Sequence, residues 1–313
     1  MGGLGNQLQQ YALYRKYISL GTAAKLDISW FNESVQQNMR AKRKLEIDRF
    51  EGVSYEACTS ADKAGVIGRD NLINRFRGRL NPLSRNIYDE SVIYDPELLE
   101  RKNLYLRGYF ACEYYYADIM DELRRQLVLP GKPELDKIVS TITGSPSKHD
   151  AAKTSESEQA GGLSCSVHLR RGDYLEEDNF KMFGNICTDE YYESAIKYAV
   201  EKGADRFFIF SEDEEYALKF ADKIKSDFHK DAVYVNANKG DDSCYDIYLM
   251  SLCDINICAN STFSFWGARL NSNPGKIMIR PTKQKNSQSF DVNLMQKYWR
   301  GWTFIDPEGC TLQ

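Results

Sequence analysis

Arg206-Phe207-Phe208-Ile209-Phe210 runs directly into Ser211-Glu212-Asp213, and Ala217, Phe220, Ala221 and Ile224 follow at helical spacing. Consecutive apolar residues closed by polar ones read as a strand covered on both faces, because a half-exposed strand would alternate. The i, i+3, i+4, i+7 recurrence after it reads as an amphipathic helix. The same alternation extends in both directions. Upstream, Ser166-Val167-His168-Leu169 is a short strand, and Thr188 with Asp189 and Glu190 caps a helix whose stripe is Tyr191, Tyr192, Ala195, Ile196 and Ala199, ended by Gly203. Downstream come a strand over 232–235, a helix over 242–253, a strand over 255–259, a helix starting near Ser264 and a strand over 276–279 stopped by Pro281. Strand–helix alternation with short connections predicts a parallel α/β sheet covered on both faces, with ligands beyond the carboxyl ends of its strands.

The first half is less regular. A helix is expected after the opening Met1-Gly2-Gly3-Leu4-Gly5-Asn6-Gln7, strands over 23–28 and 104–110, and a helix over 119–127. Residues 143–162, TGSPSKHDAAKTSESEQAGG, hold almost nothing large and apolar that could offset the entropy of ordering them, and are expected to be a flexible linker. The expected domains are therefore 1–142 and 163–313.

Composition narrows the function. The 313 residues carry a formal net charge of −4, which offers nucleic acid no basic face. None of the eight cysteines forms a C-x-x-C pair and only three histidines are present, so neither a zinc site nor a redox pair is expected. The cysteines read as free thiols of a reducing compartment. No run approaches the roughly 20 apolar residues of a membrane span, and no signal peptide is legible. The expectation is a cytoplasmic protein, able to work peripherally at the inner membrane on a lipid-linked substrate.

The strand ends collect the chemistry. The first supplies His168, Arg170, Arg171, Gly172 and Asp173, the second Ser211, Glu212 and Asp213, and the third Asn260, Ser261, Thr262, Phe263 and Ser264 at a helix start. Adjacent guanidiniums donate paired hydrogen bonds to phosphate oxygens, and hydroxyls with free backbone N–H groups at a helix start do the same. Surface salt bridges for the arginines and ordinary capping for the hydroxyls are the alternatives. Asp246 lies off the apolar stripe at the early end of its helix, where it can accept from the N1–H and N2–H₂ edge of guanine or simply face water beside the helix dipole. The glycines of the opening run, Gly3 and Gly5, would let backbone approach a ligand.

Together these segments resemble the α-1,2-fucosyltransferase family, which uses GDP-fucose. The resemblance is carried, in order, by GGLGNQ with Gln10-Tyr11-Ala12, by Gly108-Tyr109-Phe110, by His168-Leu169-Arg170-Arg171-Gly172-Asp173, by Phe210-Ser211-Glu212-Asp213, and by Asp246–Cys253 with Ala259–Ala268. It implies a glycosyltransferase-B-like fold of two facing Rossmann-like α/β domains, here with the first strand of the N-terminal domain missing before Gly2. It implies an inverting, metal-independent transfer of L-fucose from GDP-β-L-fucose to the 2-hydroxyl of a terminal galactose on a glycan, without a cofactor, in surface polysaccharide synthesis. It also implies His168 and Asp246 at guanine, Arg170 at the β-phosphate, Ser264 and Phe265 beside the diphosphate with Arg171, Ser261 and Thr262 near it, and Asn6 at the transferred sugar. Asp173 is the favoured base, ahead of Glu176, Glu177 and Asp178. The alternatives are an α-1,6 or α-1,3 linkage, or a GDP-sugar-binding protein that does not turn over.

Overall fold

A computed structural model describes residues 1–39, 42–68, 86–144 and 162–312. Most of the expected linker lies outside these residues. The chain forms two compact units, Met1–Val128 and Leu129–Gln313. The division falls before the expected one because the helix Asp136–Thr143 belongs to the second unit. Its Leu135 and Ile142 are buried, and Arg206 donates both to its Thr141 carbonyl and to Gly162.

In the first unit, helix α1 (Leu4–Ser19) starts inside the glycine-rich motif rather than after it, with Gly3 at its N-cap. Gln7 fastens this start. Its side-chain nitrogen donates to the Gly2 and Lys44 carbonyls, and its oxygen accepts from the Glu46 N–H. Helix α2 (Ser60–Ile67) opens on a reciprocal capping box between Thr59 and Asp62. A two-stranded parallel sheet joins β1 (Ile87–Asp89) to β2 (Tyr105–Arg107), and helix α3 is Met120–Gln126. The strand expected over 23–28 reduces to one bridge, Leu26 to Ala57. Beside β2 lies a cavity of about 700 Å³, bounded also by Leu13, Tyr14 and Tyr17 of α1 and by Leu26. Phe110, in the Gly-Tyr-Phe segment, is buried with a left-handed φ of 51°, a strained conformation for an aromatic residue.

The second unit begins with α4 (Asp136–Thr143) and β3 (Leu163–Leu169). It continues through α5 (Glu177–Phe183), α6 (Asp189–Glu201), β4 (Ala204–Ser211), α7 (Glu214–Phe228) and β5 (Asp231–Tyr234). Then follow α8 (Cys244–Ser251), β6 (Ile255–Ile257), α9 (Thr262–Leu270), β7 (Ile277–Pro281), α10 (Val292–Tyr298), β8 (Trp302–Ile305) and β9 (Thr311–Leu312). The sheet order is β5-β4-β3-β6-β7-β8-β9, parallel except for β9. This is the doubly wound order, with its reversal between β3 and β6, and the fold is α/β as expected.

Alternation in β3 and β4 divides the packing between two faces. Cys165, Val167, Phe207 and Ile209 join Tyr191, Tyr192, Ala195 and Ile196 of α6 and Ala217, Phe220, Ala221 and Ile224 of α7 in one core. The opposite face carries a buried polar ladder. Asn256 on β6 donates to the Ser166 hydroxyl at 2.8 Å and to the Met250 carbonyl at 2.7 Å, and its oxygen accepts from Asn271 at 3.0 Å. Helices α8 and α9 lie close enough that a Cβ on Gly267 would sit 2.7 Å from the Met250 Cβ. The ladder thus fixes α8 and α9 over the two strands at the reversal point. Asn256→Ala removes three hydrogen bonds and leaves their partners buried, which should cost about 3 kcal/mol. Urea unfolding checks this, and an unchanged midpoint contradicts it.

Candidate active site at the strand reversal

Two adjacent phenols hold the carboxyl ends of β3 and β6. Tyr192 donates to the His168 carbonyl at 2.9 Å, and Tyr191 donates to the Cys258 carbonyl at 2.6 Å. Both rings are buried, and burial pushes both phenols well above their ordinary pKa. They remain neutral donors, and the two strand ends hang from one turn of α6.

His168 stands at this point, 5% exposed, with its ring 5.6 Å from that of Phe263. Burial first, and the charge of Arg170 second, lower its pKa to about 3, so it is neutral at physiological pH. Its Nδ1 is buried and meets no hydrogen-bond partner among the described residues, so this nitrogen is poised for a ligand or a water.

Arg170 is engaged by Glu212 at the end of β4, Nη1 to carboxylate at 3.0 Å, and its guanidinium lies 5.2 Å from the centre of the Tyr174 ring. Gly172 permits this closeness, because a Cβ there would meet the Glu212 carboxylate at 2.5 Å. Arg171 follows the salt-bridge alternative rather than the expected phosphate role. Its Nε donates to Asp213 at 3.0 Å and its guanidinium lies 3.8 Å from the Tyr216 ring centre, while the other Asp213 oxygen caps α7 through the Tyr216 N–H. The Asp173 backbone lies in a short turn over Gly172–Leu175, and its side chain lies outside the described residues.

Helix α9 begins at Thr262 after Ser261, whose side chain makes no capping bond. Ser264 is buried and turns its hydroxyl back to the Ser261 carbonyl at 3.2 Å. Phe265 departs from expectation. It is fully buried, edge-on to Trp302 at 5.6 Å and 4.2 Å from the guanidinium of buried Arg280, in the core on the far side of the helix start. The aromatic residue beside His168 is Phe263, which the strand-end pattern includes but to which the resemblance assigns no role. Asn260 fastens the surrounding loops. It donates to the Phe183 and Gln284 carbonyls and its own carbonyl accepts from the Tyr174 hydroxyl, while Tyr174 stacks on Phe183 at 4.7 Å.

Asp246 is half-buried on the first turn of α8, where Asn238 donates to its Oδ1 at 2.8 Å. Burial raises its carboxyl from the ordinary 3.8 to about 7, against the smaller opposing effects of Asn238 and Lys132. Asn6, Gly3 and Gly5 stand in the first unit, at the start of α1. The glycine of that motif that needs its freedom is Gly2, whose φ is 87° and whose added Cβ would meet Asn6 at 2.7 Å. Among the described residues no three histidine, cysteine or acidic side chains gather as metal ligands, and no helix is long and apolar enough to cross a membrane.

Residues 96–306 match the profile of glycosyl transferase family 11. The chain is 30% identical over 298 residues to the O-antigen biosynthesis glycosyltransferase WbnK of Escherichia coli, covering 90% of this chain and 92% of that protein. It is 29% identical over 299 residues to an alpha-1,2-colitosyltransferase of the same organism, covering 93% of each. Among solved structures it is similar to POFUT1 in complex with GDP-fucose, at 11% identity and a TM-score of 0.39 over 90% of this chain and 95% of that one.

The raised carboxyl has a consequence for stability. In the unfolded chain Asp246 ionises near about pH 4. Between that value and its folded pKa of about 7, the folded protein holds a proton the unfolded chain has lost. The group therefore lowers stability progressively as pH rises through this window. Asp246→Asn removes the titration, so the variant's unfolding free energy relative to the parent should rise between pH 5 and 8. Urea curves at matched pH read the difference, and a flat one contradicts the assignment.

Proposed function

The chain belongs to glycosyl transferase family 11, and from that premise we propose that it is an inverting, GDP-sugar-dependent transferase acting on the 2-hydroxyl of a terminal galactose. L-fucose is the donor sugar on this reading, and a surface glycan such as an O-antigen unit, lipid-linked or free, is the acceptor. The names of the two E. coli relatives support the glycan class and the α-1,2 linkage, and the colitosyltransferase makes activated colitose the second donor to test.

One observation carries the reading. At the reversal between β3 and β6, Arg170, the start of α9 and a neutral His168, whose Nδ1 meets no partner among the described residues, stand at the strand ends. A diphosphate there meets a guanidinium from one strand end and backbone N–H groups from the next. Guanine lies between His168 and Asp246 on this reading, with the carboxylate accepting from the N1–H and N2–H₂ edge. Thr262 and the Ser261 backbone serve the phosphates, whereas Phe265 and Arg171 support the scaffold.

Transfer breaks the bond between C1 of the sugar and the β-phosphate oxygen as the acceptor 2-hydroxyl attacks C1 from the opposite face. Positive charge spreads over the ring and negative charge grows on the departing GDP. Arg170 and the dipole of α9 stabilise that growing charge, so no metal ion is required. The proton of the acceptor hydroxyl passes to a carboxylate, assigned to Asp173, and Asn6 faces the sugar being transferred. A GDP-binding protein without turnover is the outcome if neither donor reacts.

Incubating the protein with GDP-fucose or activated colitose and a panel of β-galactosides, with product linkage read by NMR, tests the reading. An α-1,2-linked product is expected, formed equally well in the presence of a chelator. Arg170→Ala should lower kcat by about 10² to 10³ while leaving the unfolding midpoint within a few degrees. Turnover near the parent rate in that variant contradicts the role of Arg170.

A further inference from the structure

Lys132 belongs to no motif of the sequence, yet it sits one residue away from Asp246 through a hydrogen-bonded chain. Its ammonium donates to the Asn238 side-chain oxygen at 3.1 Å and to Asp242 at 3.0 Å, and lies 4.9 Å from the centre of the Tyr245 ring. Tyr245 in turn donates to the Pro130 carbonyl at 3.0 Å, which clamps the segment carrying Lys132 onto the first turn of α8. Asn238 is 8% exposed and passes the contact on, its amide nitrogen donating to Asp246 Oδ1 at 2.8 Å.

A lysine ammonium can only donate. It therefore fixes which end of the Asn238 amide faces it, and the oxygen must. The amide N–H₂ is then the end presented to Asp246, and a donor there favours the ionised carboxylate. Oδ2 and the second lone pair of Oδ1 are left to accept from elsewhere. Without Lys132 the amide can turn over and present its oxygen, which a carboxylate meets favourably only when it carries a proton.

We propose that Lys132 and Asn238 are positioning residues that set the base specificity of the donor site, holding Asp246 as an acceptor-only group that selects guanine by its two adjacent N–H donors. This rests on the placement of guanine at Asp246. Adenine offers an acceptor at N1 where guanine offers a donor, so an acceptor-only carboxylate repels it. Hypoxanthine keeps N1–H but lacks the 2-amino group, so it should bind in the same place with one hydrogen bond fewer. Among the described residues the charged and titratable groups coupled to Asp246 are Lys132, which also pairs with Asp242, and Tyr234 on β5, whose phenol is raised partly by this carboxylate. Of these only Lys132 favours the ionised form.

Calorimetric titration of the full chain with GDP and with inosine diphosphate from pH 6 to 9 tests the relay. In the parent, GDP should bind about tenfold or more tightly than inosine diphosphate, the scale of one hydrogen bond to a charged group. GDP affinity should rise with pH as Asp246 loses its proton. Lys132→Met should move the midpoint of that rise upward by about one pH unit, a loss of GDP affinity that approaches about tenfold at pH 6, is about fivefold at pH 7 and vanishes by pH 9. Lys132→Arg, which keeps the charge and the donors, should restore the parent profile. A Lys132→Met profile that superimposes on the parent overturns the relay, and so does a loss equal at every pH, which marks a merely structural role. Asp246→Asn separates the two levels. If it binds GDP as the parent does and keeps the preference over inosine diphosphate, guanine does not lie at Asp246, and the relay falls with that placement.

Discussion

The site depends on the strand ends at the reversal of the sheet being held in place from one helix. Parallel strands whose crossovers return on the same side of the sheet leave no gap between them. A gap opens only where consecutive crossovers go to opposite faces, as they do between β3 and β6. The phenols of Tyr191 and Tyr192 bind the carbonyls on either side of that gap, and the Ser166–Asn256–Asn271 ladder binds the same two strands on the other face. Each bond is buried, so breaking it leaves a polar group without water. The strand ends at the reversal are therefore held by the protein's own buried bonds.

Its electrostatics follow from burial. His168 is kept neutral by desolvation and by Arg170, so it adds no charge at the strand end and leaves a buried ring nitrogen without a hydrogen bond among the described residues. Burial raises the Asp246 carboxyl to about 7, and the donors Asn238 and Lys132 pull it the other way. At the strand ends Arg170 pairs with Glu212, and Arg171 pairs with Asp213, the carboxylate that also caps α7.

Much of this was legible in the sequence. Strands such as Ala204–Ser211 and helices such as Glu214–Phe228 are long enough for period and polarity to register, and Thr188 caps its helix as its position implied. The first unit resisted because its strands are three residues long and one pairing is a single bridge, too short for any periodicity. Strand Trp302–Ile305 lies past Pro281 in an aromatic-rich stretch, where rings that pack under Arg280 look no different from loop residues. Within the site, His168, Arg170 and Asp246 stood out by type and place. Lys132 could not, since it meets Asn238 across 106 residues of chain, and neither could the exchange of Phe263 for Phe265, which depends on the rotation of α9.

The central claim is that a nucleoside diphosphate occupies the crevice at the β3–β6 reversal. A crystal structure of the protein with GDP tests it most directly. Phosphate density is expected against the Arg170 guanidinium and the backbone of Ser261–Phe263, with the base near His168 and Asp246. Well-ordered GDP bound elsewhere, with the crevice filled only by water, would contradict it.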